Sequence, residues 1–341
     1  MRAAVLRDKK LVVGEVPDPT PGPGLVLAET IACGICGSDV HMYQHLDRLA
    51  AAAAQNGAPF MDTNADVVMG HEFSARVLET GPGVTGLQPG DAVVSIPVVL
   101  TQDGMKTVGY SNEYPGGYAE RMLLMAAVCY KIPDGLDPRH AALTEPMSVG
   151  THAVNRSGIA AGDSAIVLGC GPIGLGTIAA LRLAGAGPVV AADPSPRRRE
   201  LASHMGADAV VDPREEPAIA AWQRIDGQRT LVIFEASGAP GLISQAMEAA
   251  PQQGRILVVG VCMERDTIWP MHGISKELTI TFSLGAQPDE FKLTLDRIAE
   301  GKVDVAAMVT DEIGIAGVPA AFESLLRPDA HGKVLVEPAL G

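Results

Sequence analysis

Apolar residues in the first third of the 341-residue chain fall in short runs, at 25–32, 74–79 and 92–99, separated by Pro/Gly turns such as 19–24 and 81–90. Runs of this length bounded by turn residues predict β-strands. Residues 46–55 (LDRLAAAAAQ) differ: the alanines carry high helix propensity, and the segment predicts a helix. From about Val149 the pattern changes to alternation. Strands are expected at Ser164–Leu168, 188–192, Ala209–Val211, 231–234 and 255–261, with helices at 173–184, 197–205, 216–223 and 241–250. Such alternation builds a doubly wound parallel sheet, because right-handed crossovers place helices on both faces. A helix over 289–300 and a strand at Lys333–Val336 follow, the strand returning to the first domain. The expected organisation is α/β, with a nucleotide-binding Rossmann domain over 149–286 and a β-rich domain made of 1–148 and 287–341.

Composition narrows the function classes. Hydrophobic residues make up 47% and charged ones 19%, enough to bury a large core and too apolar for disorder. A net charge of −14 without a long basic run excludes nucleic acid and anionic membranes as expected partners. The five cysteines, an odd and dispersed set, form no disulfide framework and point to a reducing compartment. The N-terminus lacks an apolar signal core, and the uncharged stretch 164–181 contains four glycines and a proline, reading as strand, turn and helix start and not as a membrane span. A cytoplasmic protein is expected.

Gly169-Cys170-Gly171-Pro172-Ile173-Gly174 fits G-x-G-x-x-G, follows an apolar strand and opens an apolar helix. In that context the first glycine makes the tight turn, the second lets a pyrophosphate approach the backbone, and the third lets helix pack on strand. The helix N-terminus offers free N–H groups and a positive dipole end to the phosphates. Asp193 lies nineteen residues beyond Gly174, at the end of the next strand, where a carboxylate accepts ribose hydroxyls. It repels a 2′-phosphate and so favours NAD over NADP. The following Arg197-Arg198-Arg199 is either a solvated helix start or a compensating phosphate site.

Cys33-Gly34-Ile35-Cys36 is a single C-x-x-C, and alone it is either a redox pair or half of a structural zinc site. No second cysteine pair completes a structural site, and the pair lies in the β-rich part. Gly37-Ser38-Asp39-Val40-His41 follows it, and later Gly70-His71-Glu72. Thiolate, imidazole and carboxylate are the ligand types of catalytic zinc sites that keep one position open.

On the segments 33–41 (CGICGSDVH), 70–72 (GHE), 89–91 (PGD), 144–153 (TEPMSVGTHA) and the glycine turn 169–174, the sequence resembles the zinc-containing medium-chain alcohol dehydrogenases nearly end to end. The resemblance implies that the β-rich domain is GroES-like and catalytic. Cys36 and His71 match its first two zinc ligands, and Glu72 and Glu145 its acidic positions near the metal, either of them the direct ligand. Cys33 matches no ligand and is a small buried residue. Ser38 matches the hydroxyl that bonds the substrate oxygen, His41 the imidazole that passes the proton to solvent, and Asp39 the carboxylate that orients the metal's surroundings. Ser237, Val259-Gly260-Val261 and Ser283-Leu284 match segments that line the cofactor, as does Arg198.

The reaction implied is hydride transfer between a secondary alcohol, diol or polyol and NAD, with zinc as Lewis acid at an alkoxide and the proton leaving through Ser38 and an exposed His41. The 145–149 segment (EPMSV) is nearest the polyol, butanediol and threonine dehydrogenase branch. Family habit implies a homodimer or homotetramer. Two departures matter. Residues 92–124 contain no cysteine, so one zinc per chain is expected instead of a second, structural one. Residues 43–68 are longer than the equivalent stretch of the sorbitol dehydrogenases, which puts substrate transfer from any relative in doubt. Two other classes stand beside this reading: a zinc-free quinone or enone reductase, which lacks the cysteine and histidine, and a non-catalytic nucleotide-binding module, which needs no Ser38 or His41.

Overall fold

The computed structural model describes residues 1–55, 60–326 and 332–340. The chain divides into two compact units, Met1–Glu145 with Leu295–Gly341, and Pro146–Thr294. Both crossings fall inside helices, Thr144–Ser157 and Pro288–Ala299. No helix among the described residues is long and apolar enough to cross a membrane.

The first unit is built on a mixed seven-stranded sheet. Leu25–Gly34 lies inside it, flanked by Lys333–Val336, Glu72–Thr80 and Arg121–Met125. The sequence alternates along Leu25–Gly34, and the even-numbered positions 26, 28, 30 and 32 are buried, as expected of a strand with one face on a core. Register brings Gly34 opposite Glu72 on one side and opposite Leu335 on the other. The long strand expected at 92–99 is two, Ala92–Ser95 and Val98–Thr101. Pro97 lies at the break; without an N–H it cannot continue a ladder. The alanine-rich helix begins earlier than its composition indicated, at Gly37, and runs to Gln55 with a kink at His45. Ser38, Asp39 and His41 therefore stand on a helix, not on a loop ahead of one.

The second unit is a six-stranded parallel sheet in the order Ala209–Val211, Val189–Ala192, Ser164–Leu168, Leu231–Glu235, Arg255–Val258, Thr279–Phe282. This 3-2-1-4-5-6 order is that of the dinucleotide fold. Strands buried on both faces read as continuous apolar runs, as in Leu231–Glu235, where every residue is buried. Two elements escaped the pattern, the helix Pro270–Lys276 and the edge strand Thr279–Phe282. Half-exposed and short, they lack the periodicity that marked the rest. The motif around Glu145 is itself helical, Thr144–Ser157. A side chain at Gly150 would run into the backbone of Gly176 and Thr177, so this glycine lets the helix cross Pro172–Leu183 closely.

Candidate active site

The sheet register and one helix end bring four distant segments together. Cys36 lies just past the end of Leu25–Gly34, and His71 and Glu72 lie at the start of the paired strand. The donor atoms of Cys36, His71 and Glu72 all lie within 4.8 Å of one another. Thiolate, imidazole and carboxylate at that spacing fit a zinc ion. Electrostatics point the same way. Burial and the Glu72 charge push the Cys36 thiol up against the pull of His71, and a bound cation would favour its thiolate. Nδ1 of His71 is buried, 3.2 Å from Asp39 Oδ1 but not aligned for a hydrogen bond. Burial opposes charge on His71, yet Asp39 and Cys36 hold its pKa well above the ordinary value.

Asp39 is fully buried. Tyr110 and Tyr118 each donate a hydroxyl hydrogen to it at 2.6 Å, one to Oδ1 and the other to Oδ2. Burial works against its charge, but His71 and the two tyrosines outweigh that and hold the carboxyl below its usual range. Glu72 is fully buried as well, and Lys333 Nζ donates to both of its oxygens, at 2.9 and 2.6 Å, and to Ile35 O at 3.1 Å. A side chain at Gly34 would collide with Glu72 Oε2, so the ion pair passes over a position that has to be glycine. Glu145 stands outside the three-residue group, although burial, against the pull of His71 and Lys333, pushes its carboxyl up to about 7. Cys33 is buried.

Ser38 Oγ donates to Cys36 Sγ at 3.0 Å and lies 3.0 Å from Tyr110 Oη and 3.5 Å from His71 Nε2. None of these partners is His41, the expected next step of the relay. His41 is half-buried rather than exposed. Its ring packs edge-on to His45, with centroids 6.4 Å apart. Burial, helped by the His45 charge, lowers its pKa, which corrects the expectation of an ordinary exposed imidazole.

The nucleotide segments all follow the carboxyl ends of parallel strands, where ligands bind in such sheets. Gly169 has φ 95°, and a side chain there would meet Ser237. A side chain at Gly174 would meet Gly169 O, whereas one at Gly171 meets nothing within 4 Å. Gly171 caps Pro172–Leu183, with Pro172 and Ile173 in the first turn, so open space lies before a helix N-terminus. Asp193 is buried, and its carboxylate accepts from Cys170 N and Ser195 N, both at 2.8 Å. Arg198 Nη1 is 3.9 Å from it. Glu235 fixes the next turn by accepting from Ser237 N and Gly238 N with its side chain, and from Val259 N and Gly260 N with its carbonyl. Val261 and Leu284, after the next two strands, are exposed, and Ser283 Oγ is buried without a partner.

Sequence reasoning missed Tyr110, Tyr118 and Lys333. A signal existed for the tyrosines: three of the five in the chain, Tyr110, Tyr114 and Tyr118, fall within nine residues. Lys333 had none, since its partner is 261 residues away in the chain.

With this geometry, residues 22–134 match the family model of the alcohol dehydrogenase GroES-like domain, and 172–300 that of zinc-binding dehydrogenases. The (R,R)-butanediol dehydrogenase of Bacillus subtilis is 32% identical over 99% of this chain and 100% of its own length. The L-threonine 3-dehydrogenase of Pyrococcus horikoshii is 33% identical over 94% of this chain and 93% of its own. A Sinorhizobium meliloti protein solved bound to NADP shares the fold with a TM-score of 0.84 and 28% identity, over 99% of both chains. The chain belongs to the zinc-dependent medium-chain alcohol dehydrogenases, oxidoreductases that act on CH–OH groups.

Proposed function

We propose that this protein oxidises a secondary alcohol, diol or polyol with NAD, and reduces the matching ketone, using one zinc ion per chain. The observation that carries the reading is the Cys36, His71 and Glu72 donor group with the Ser38 hydroxyl on its sulfur and beside its imidazole. Bound zinc would supply Lewis acidity toward the alcohol oxygen, and bound nicotinamide a hydride acceptor. Cys36 and His71 hold the metal. Glu72 or Glu145 is the third ligand, and the double hold of Lys333 on Glu72 favours Glu145 when an exchangeable position is filled. Ser38 accepts the substrate proton, and His41 carries a proton on to solvent. The butanediol and threonine dehydrogenases among its relatives both act, by name, on secondary carbinols.

On the nucleotide side, Gly169, Gly171 and Gly174 with the helix start at Pro172 and Ile173 receive the pyrophosphate. Asp193 and Arg198 take the adenosine ribose, and Ser237, Val259, Gly260, Val261, Ser283 and Leu284 line the remainder. Of the arginines after Asp193, Arg199 is held by Asp212 and by the backbone carbonyls of Asp193 and Pro194, and Arg198 Nη1 lies 3.9 Å from the Asp193 carboxylate. The Asp193 carboxylate, which would repel a 2′-phosphate, supports NAD as the preferred cofactor. Asp193→Ala should weaken NAD and improve NADP by about tenfold each, the scale of one lost charge-assisted hydrogen bond or one removed repulsion.

The exposed edge strand Thr279–Phe282, with Phe282, Leu284, Trp269, Met271 and Ile274 exposed around it in sequence, suits burial in a homo-oligomer. Free thiols suit the cytoplasm. Assay of diols, sugar alcohols, hydroxy amino acids and simple alcohols with both cofactors, beside elemental analysis, tests the reading. No turnover with any member by metal-replete protein, or two zinc ions per chain, would overturn it.

A further inference from the structure

We propose that the Ser283 hydroxyl bonds the carboxamide of a bound nicotinamide and so makes the site select a dinucleotide that carries this group. The proposal rests on the reading of the carboxyl edge of the parallel sheet as the nucleotide site.

Two buried side-chain polar atoms in Pro146–Thr294 have no hydrogen-bond partner among the described residues, Trp222 Nε1 and Ser283 Oγ. Trp222 belongs to the helix Ala218–Ile225 and packs in the apolar core. Ser283 lies one residue past the carboxyl end of Thr279–Phe282. A buried hydroxyl left unpaired carries its desolvation cost, which a ligand group able to donate or accept relieves.

The main chain fixes where this hydroxyl stands. Ala192, Leu168, Glu235, Val258 and Phe282 pair in one row across the sheet. The ladder continues one step beyond them. Gly169 N donates to Ala192 O, Val259 N to Glu235 O and Ser283 N to Val258 O, each at 2.9 Å, and Ala236 N donates to Leu168 O at 2.8 Å. Asp193, Gly169, Ala236, Val259 and Ser283 therefore form the next row, with Asp193 at one end and Ser283 at the other. A dinucleotide with its adenosine ribose at Asp193 and its pyrophosphate at the Gly169 turn runs its other half toward Ser283. Between these ends the row offers only glycine, alanine and valine, none with a polar side chain. The nicotinamide ring carries a primary carboxamide, with a carbonyl that accepts and an amide that donates. A serine hydroxyl has one hydrogen and two lone pairs and pairs with either.

Calorimetric titrations test this without turnover, using NAD, ADP-ribose and the NAD analogue in which pyridine replaces nicotinamide. Ser283→Ala should weaken NAD binding about two- to tenfold, the scale of one net hydrogen bond. It should leave ADP-ribose and the pyridine analogue unchanged, so that the preference for NAD over the analogue narrows by the same factor. In the nucleotide-free protein the variant should keep or raise the thermal midpoint, because it removes a polar atom that has no partner there.

Equal weakening of NAD and the pyridine analogue would place the effect in the shape of the strand end and overturn the proposal. So would unchanged NAD affinity in Ser283→Ala, or a lowered thermal midpoint of the nucleotide-free variant, which would reveal an internal partner. Failure of the unaltered protein to bind either NAD or ADP-ribose would sink the nucleotide-site reading itself, and the carboxamide contact with it, a different result from a shared loss in the variant.

Discussion

In Pro146–Thr294 the candidate nucleotide site is made of main chain. Three glycines shape the turn, Glu235 and Asp193 cap backbone N–H groups, and a helix end faces open space at Gly171. In the unit holding Met1–Glu145 the candidate metal site is made of side chains, and their charges are matched in buried pairs: Asp39 with His71, Glu72 with Lys333. A main-chain site depends on conformation and tolerates many side chains around it. A side-chain site in low dielectric depends on each partner, because a buried charge that loses its counterpart keeps its whole desolvation cost. Substitutions in the two units should therefore fail differently.

The largest effect is expected at Cys36. Cys36→Ser removes the thiolate and should lower turnover by roughly 10³-fold or more, since the Lewis acid and the geometry around it go together. NAD binding, measured by titration, should stay within about twofold, because every residue assigned to it lies in the other unit. Loss of NAD affinity on the same scale as loss of turnover would break the comparison, showing the two sites to be one cooperative structure.

This contrast also explains what could be read in the sequence. The glycine turn, Asp193 and the strand ends are local: each needs only its own neighbours, and the alternation that places them is a period in the chain. Strands Ser164–Leu168, Ala209–Val211 and Lys333–Val336 lie where their apolar runs put them. Cys36, Ser38 and His71 were legible because the motif sets their spacing. Lys333 was not, since nothing near it in sequence tells that Glu72 lies across two strands. The half-burial of His41 was hidden for a related reason. Composition marked the helix only from residue 46, whereas it starts at Gly37 and carries His41 into packing that alanine propensity cannot report.

The next effect belongs to Lys333. It is 1% exposed and Glu72 0%. Lys333→Met leaves a buried carboxylate without its partner and should cost about 3–5 kcal/mol of unfolding free energy, read from denaturant midpoints. Adding Glu72→Gln should recover most of that. A single-variant loss under about 1 kcal/mol would match a solvated pair and remove the reason for assigning the metal to Glu145 over Glu72.

The smallest effect, and the one that sharpens the side-chain half of the comparison, is at His41. A relay imidazole must be neutral to accept a proton, so oxidation slows as pH falls through its pKa. Burial first, and the charge of His45 second, lower that pKa. With His41 as the proposed relay, the acid limb is expected below the ordinary value of about 6.5, not at it. His45→Gln removes the lesser of the two causes and should move the limb upward in pH by a few tenths of a unit, roughly the scale of one screened charge across a partly wetted gap. His41→Gln should erase the limb and lower turnover by about tenfold near neutral pH if water substitutes, and by more if it does not, within the 10²–10⁴ range usual for general acid–base groups. An unchanged profile in His41→Gln would leave the proton to exit from Ser38 by another way, and would make the His41–His45 pair a matter of packing at the helix kink alone.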